Sequence, residues 1–173
     1  MLLKLSLVAI FFSLMAANRL QNASGDQALI DRVCARMPDP TACQMCIKED
    51  PEHENEDEPG LGRASMVCCI GRILTINRDI YNMANSSRDG SIRDICTKCT
   101  VHFDDSLKNL RDALVFWGYD LFQNATDSVG IAHSYFLQCA NIIVGLPSPN
   151  PYIEALDTLE ILLVNSEAML SLL

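Results

Sequence analysis

A chain of 173 residues with 13 Lys and Arg against 22 Asp and Glu carries a formal net charge of −9. That balance excludes the basic footprint that nucleic-acid binding needs; it suits solubility and, weakly, a basic partner. About half of the residues are apolar but only 6% are aromatic, which points to one domain with a core of aliphatic helices.

The chain opens with Lys4, an apolar run from Leu5 to Met15, and the small residues Ala16-Ala17. This order is that of a secretory signal peptide, expected over 1–17, with the mature domain over 18–173. A membrane anchor needs about 20 apolar residues, and Asn18-Arg19 ends this run early. No later stretch is an unbroken apolar run of spanning length, so no membrane contact is expected once the signal is removed. Three sequons, at Asn22, Asn85 and Asn124, agree with export and are candidate glycosylation sites. In an oxidising compartment the eight cysteines are disulfide candidates before they are thiols.

Residues 26–48 read as a short helical hairpin. Asp26 is placed to cap a helix over Ala28 to Arg36. Pro38 ends it, and Asp39 caps a second short helix with Pro40 at its first position, where a missing N–H costs nothing. Seven of the ten residues from Glu49 to Glu58 are acidic, and the span 49–61 is expected to be a solvated, extended connection, because like charges repel.

Four long helical patterns then fill 62–173. The first, Gly62 to Ala84, has an apolar stripe through Met66, Ile70, Ile73, Ile76, Ile80 and Met83. A second stripe, Ala64, Val67, Cys68, Gly71 and Leu74, suggests burial over a wide arc. The second helix starts at a capping box, Ser91 with Asp94. It carries Ile92, Ile95, Cys99, Phe103, Ser106, Leu110, Ala113 and Trp117 inward, and Gly118 breaks it. The third spans about Asp120 to Val144, with Val129, Ala132, Phe136, Cys139 and Ile143 inward. A proline-rich loop, Leu146-Pro147-Ser148-Pro149, precedes the last helix, opened by Asn150-Pro151, with a stripe at Ile153, Leu156, Leu159, Leu163 and Leu170. Short loops between long helices imply antiparallel neighbours. The expected fold is all-α: an up-down-up-down four-helix bundle behind a helical hairpin, stapled by disulfides.

Hairpin symmetry selects two of the bridges. Residues equidistant from the turn of an antiparallel pair lie level. Cys99 and Cys139 have their midpoint beside Gly118, and Cys34 and Cys43 straddle Pro38-Asp39 in the same way. On the loop-entropy model the short clamp contributes roughly 2–3 kcal/mol and the long one roughly 4 kcal/mol. Cys68 and Cys96 differ in level by about 16 Å at 1.5 Å per residue, too far for a disulfide. Cys46 reaches Cys68 or Cys69 only if the hairpin folds back there. Zinc held by Cys43-x-x-Cys46 and Cys96-x-x-Cys99 conflicts with the compartment and with this geometry, so the sequence is read as holding no metal and no cofactor.

No catalytic residue is assigned. His53, His102 and His133 belong to no metal-ligand spacing or nucleophile motif. Asp104 and Asp105 are consecutive on a helix and point about 100° apart, so they do not face one scissile bond together.

The cysteine frame and its surroundings resemble the plant pectin methylesterase and invertase inhibitors. Eight residues lie between Cys34 and Cys43, with Asp39-Pro40-Thr41 inside, as in that family's opening hairpin. Asp50-Pro51 followed by Gly60-Leu61-Gly62 resembles the entry to its first bundle helix. The run from Cys99 through Phe103 and Asp104-Asp105 to Leu107, and Val129-x-x-Ala132 ahead of Cys139, are similar as well. The likeness covers roughly 28–173. It implies a non-enzymatic inhibitor, secreted to the plant cell wall or apoplast, that binds pectin methylesterase or acid invertase one-to-one and blocks its cleft. Invertase inhibitors carry Pro-Lys-Phe before the last helix; here Leu146 to Pro151 holds neither Lys nor Phe, which ranks pectin methylesterase first. Cys46, Cys68, Cys69 and Cys96 depart from the family's pattern. Two other classes stay open. The vicinal pair Cys68-Cys69 resembles the nonspecific lipid-transfer proteins, although those follow the pair with C-x-C and this chain has Cys96-x-x-Cys99. A helical receptor ligand is the other.

Overall fold

A computed structural model describes residues 27–50 and 56–173. The signal peptide, Asn22, Asp26 and His53 lie outside them. The described residues are all helix and connection, with no strand. Helix α1 covers 27–34, α2 Pro40–Lys48, α3 Glu58–Ser86, α4 Gly90–Trp117, α5 Phe122–Ile143 and α6 Ile153–Leu170.

Aspartates start three of these helices. Asp39 accepts from the Ala42 amide at 2.8 Å, Asp57 from the Gly60 amide at 2.9 Å, and Asp89 from the Ser91 amide at 2.8 Å. Each satisfies an amide that has no partner inside its helix. The expected boundaries shift accordingly. Helix α3 begins inside the span taken as an extended connection, because Asp57 caps it and Pro59 fits its first turn. The cap of α4 is Asp89 and not Ser91, whose own amide is the one being capped. Helix α1 ends before Arg36, with the Met37 amide turned onto the Cys34 carbonyl.

The α4–α5 turn also differs from expectation. Gly118 keeps a right-handed backbone, φ −65°, while Asp120 takes the left-handed one, φ 57°. The Leu121 amide bonds back to the Phe116 carbonyl and the Asp120 amide to that of Trp117, the Schellman pattern, with Asp where Gly is usual. Before α6, Asn150 bridges both sides of the loop: its Oδ1 accepts from the Tyr152 amide and its Nδ2 donates to the Ile143 carbonyl.

Helix α3 packs against α4 and α6, and α5 packs against the same two. The running direction is read from paired contacts. Cys99 is bonded to Cys139 while Ser106 donates to the Ala132 carbonyl at 2.9 Å, so α4 and α5 are antiparallel. The common core holds Phe103 and Phe136, stacked with centroids 6.3 Å apart, among Ile73, Ile80, Leu110, Ile143 and Leu163. A hydroxyl in such a core must be paired, and Ser106 is. The second stripe of α3 is only partly inward: Ala64 and Cys68 are buried, but Val67, Gly71 and Leu74 are exposed. The hairpin covers α3 at Cys68, and among the described residues Val67, Gly71 and Leu74 fall outside that contact. Ile153 is likewise exposed.

The hairpin has its own small core. Ile30, Val33, Met37 and Ile47 close on Leu61 of α3 and Met169 of α6. Asn165, buried on α6, accepts from the Asp39 amide at 3.0 Å and donates to the Asp39 carbonyl at 2.8 Å. Gly62 lets α6 come close: a Cβ there would lie 3.1 Å from Leu170 Cδ2.

Replacing Asn165 by the near-isosteric Leu removes both bonds and leaves the Asp39 amide without a partner. The expected cost is about 1–3 kcal/mol, read as a lower urea midpoint with an unchanged m-value.

Candidate functional site: a groove between the first and last long helices

The cysteines come first, because they fix what the rest can do. Cys34 is bonded to Cys43, with Cα atoms 5.5 Å apart, and Cys99 to Cys139, with Cα atoms 4.4 Å apart. These are the two pairs that hairpin symmetry selects. A third bridge joins Cys46 to Cys68, so the hairpin does fold back onto α3. On the same loop-entropy model a closure of this length contributes roughly 3 kcal/mol. Cys69 and Cys96 are free and buried. Of the four sulfurs in the two C-x-x-C motifs, Cys43, Cys46 and Cys99 are therefore in separate disulfides. Among the described residues no three His, Cys, Asp or Glu side chains are grouped to hold a metal.

Cys69 sits in a buried polar chain. Ser65 Oγ donates to the Gly62 carbonyl at 2.8 Å, Ser166 Oγ donates to Ser65 Oγ at 2.9 Å, and Cys69 Sγ lies 3.5 Å from Ser166 Oγ. Either group can be the donor in this last contact. Burial pushes the Cys69 thiol up to about 12, against the opposing pull of the Ser166 contact. Burial also raises the Cys96 thiol.

The acidic stretch is less free than its charge suggested. Glu49 pairs with Arg72, Asp50 and Glu56 with Arg63, and Glu58 with Arg36. Asp50 is buried. The expectation of a purely solvated connection is corrected at both ends. The repulsion is offset by arginines on α1's trailing turn and on α3, while 51–55 lie outside the described residues.

Asp104 and Asp105 diverge as expected. Asp104 is exposed and accepts from Asn77 Nδ2 at 2.9 Å; Asp105 is half-buried on another flank. His102 lies against Tyr135, centroids 6.5 Å apart. His133 Nδ1 is 3.9 Å from a Glu167 oxygen. Asn85 and Asn124 are exposed.

A groove of about 600 Å³ lies between α3 and the start of α6. Arg72, Thr75, Ile76 and Asp79 recur on one face of α3. Opposite them stand Tyr152, Glu154, Ala155 and Leu159. Buried Ile76 and Leu159 make an apolar floor. Asp79 and Glu154 are exposed on the rim, and the Arg72 guanidinium is already engaged by Glu49. Asp79 in turn lies 3.8 Å from the Arg78 guanidinium, so Glu154 is the rim carboxylate with no arginine beside it among these pairs. Burial, then the neighbouring Cys96 and Asp79, raise the Tyr152 phenol, so it stays a neutral hydrogen-bond donor. An apolar floor with acceptors around it fits an aliphatic or basic side chain of a partner. Sequence reading missed this groove and left Cys46–Cys68 as one of two pairings conditional on the hairpin folding back, which it does. The proline-rich loop before α6, which the groove borders at Pro151, was the one available signal for the groove.

No family model matches the chain, and no curated protein matches it.

Because the folded state holds the Cys69 proton more tightly than the unfolded chain does, its contribution to stability is full below pH 9 and is lost as pH rises from there towards about 12. At pH 8 neither Cys69 nor Cys96 should take up iodoacetamide in the native protein, and both should do so in urea. Mass spectrometry of the alkylated digest reads the two states.

Proposed function

We propose that this chain is a secreted, non-enzymatic inhibitor that binds a plant cell-wall carbohydrate-active enzyme and occludes its substrate cleft, with pectin methylesterase as the first target and acid invertase as the second. The reading takes the helices as an up-down-up-down four-helix bundle with a hairpin docked at one end. One observation carries it: a bridge confined to the front hairpin, Cys34–Cys43, together with a bridge across α4 and α5, Cys99–Cys139, within the order of motifs that resembles the inhibitor family over 28–173. The loop from Leu146 to Pro151 supports pectin methylesterase over invertase, since it offers neither Lys nor Phe.

The physics of occlusion suits such a molecule. A braced helical surface loses little conformational freedom on binding, so less of the contact energy is spent on ordering. Its negative charge speeds encounter with a basic enzyme more than it deepens the bound state. The rim of the α3–α6 groove, with Glu154, is a place for a basic side chain of that enzyme.

The test mixes the secreted, purified protein with cell-wall pectin methylesterases and acid invertases at mildly acidic pH. Loss of esterase activity with one-to-one stoichiometry is expected. Full activity of every enzyme at micromolar inhibitor defeats the proposal. The double reversal Asp79→Lys, Glu154→Lys should slow association about tenfold at low salt, seen by surface plasmon resonance, with a smaller change in dissociation.

A further inference from the structure

Asn124 does not stand on open helix surface. It forms part of the wall of a groove of about 400 Å³ at the opposite end of α6 from the α3–α6 groove, together with Leu121, Phe122, Thr126, Leu170 and Leu173. Leu121 is 46% exposed and Leu173 38% exposed, and Phe122 is half-buried. With Asp120, Gln123 and Ser171 in the same wall, the groove offers a sugar at Asn124 both apolar side chains and polar partners. Asn124 itself is exposed, as its modification requires, and Thr126 supplies the hydroxyl two residues on.

We infer that the glycan carried by Asn124 is a structural one: its first sugars lie in this groove, their C–H faces against Phe122, Leu121 and Leu173 and their hydroxyls outward. The inference rests on the secretory reading above. In the modification, the Asn124 side-chain nitrogen bonds to the anomeric carbon of an oligosaccharide on a lipid diphosphate donor. The bond from that carbon to the diphosphate oxygen breaks, the lipid diphosphate leaves, and the amide gives up one proton. Sugar rings packed on apolar side chains remove apolar area from water, and the folded state alone assembles this wall, from the start of α5 and the residues after Met169. The glycan therefore binds the native chain and not the unfolded one, which raises apparent stability.

The full chain is expressed in a secreting eukaryotic host and its glycopeptides are mapped by mass spectrometry. Asn124 should be occupied. The glycosylated protein should melt about 2–4 °C above Asn124→Gln, and endoglycosidase trimming to the first N-acetylglucosamine should keep most of that difference. Leu173→Ser should reduce the difference by half or more, which a glycan acting only by bulk would not show. A bare Asn124, equal melting temperatures with and without the sugar, or a difference untouched by Leu173→Ser overturns the inference. A processed chain with sugar at Asn22 or Asn85 and a bare Asn124 overturns it alone. A chain that retains Met1 to Ala17 with every sequon bare overturns the secretory reading with it.

Discussion

The docking of the hairpin onto α3 and α6 is the constraint on which the rest of the molecule depends. Helices as short as α1 and α2 are not stable by themselves in water. Their apolar side chains, Ile30, Val33 and Ile47, find a core only with Leu61 and Met169. Three different interactions hold this contact. The Cys46–Cys68 bond limits how far the hairpin strays in the unfolded chain. Asn165 reads the Asp39 backbone by both its amide groups. The arginine pairs on Glu49, Asp50 and Glu56 then fix the segment leading away from α2. Arg72 is oriented by this last contact, so the rim of the α3–α6 groove is set by a hairpin that does not line it.

Buried polar groups specify the register of that contact. An apolar surface tolerates small slips; a chain of paired donors and acceptors does not. Asn165 and Ser166 are adjacent on α6 and face different neighbours, the first towards α2 and the second towards Ser65 and Cys69 of α3. Sliding α6 along α3 would break the serine chain and leave its hydroxyls buried without partners, which costs more than the bonds contribute. The same segment of α6 therefore reads both the hairpin and α3, and the three elements can settle in only one arrangement.

What the amino-acid pattern disclosed follows from what repeats along a helix. Cys99 and Cys139 were legible because two helices joined by a short turn must place equidistant residues level, and Phe103, Leu110, Phe136 and Ile143 because the core takes every third or fourth residue. Cys46 stayed undecided between Cys68 and Cys69, because no helical period spans the acidic sequence between it and α3. The caps were misplaced where two candidates competed. Ser91 looked like the start of α4, but Asp89 two residues earlier carries the better acceptor. Gly118 looked like the turn, but the left-handed position falls on Asp120, whose short polar side chain tolerates it. The α3–α6 groove was missed for a plainer reason: its two walls are far apart in sequence, and the proline-rich loop beside one of them does not point to the other.

The two grooves divide the labour of the surface. Both border α6, one at its first turns and the other beyond its last. Along α6 the nearest lining residues of the two, Leu159 and Leu170, are separated by about 16 Å at 1.5 Å per residue. A glycan seated as proposed, beside Leu173, would lie at the opposite end of α6 from Tyr152 and Glu154. Steric occlusion of an enzyme needs one broad face free of flexible bulk, because each mobile group trapped in an interface is ordered at a cost. On the proposed reading, a sugar at Asn124 would cover side chains at the far end of α6 without entering that face. On the same reading, the rim carboxylates, the Tyr152 phenol and the apolar floor between them would stay open to a partner's basic side chain.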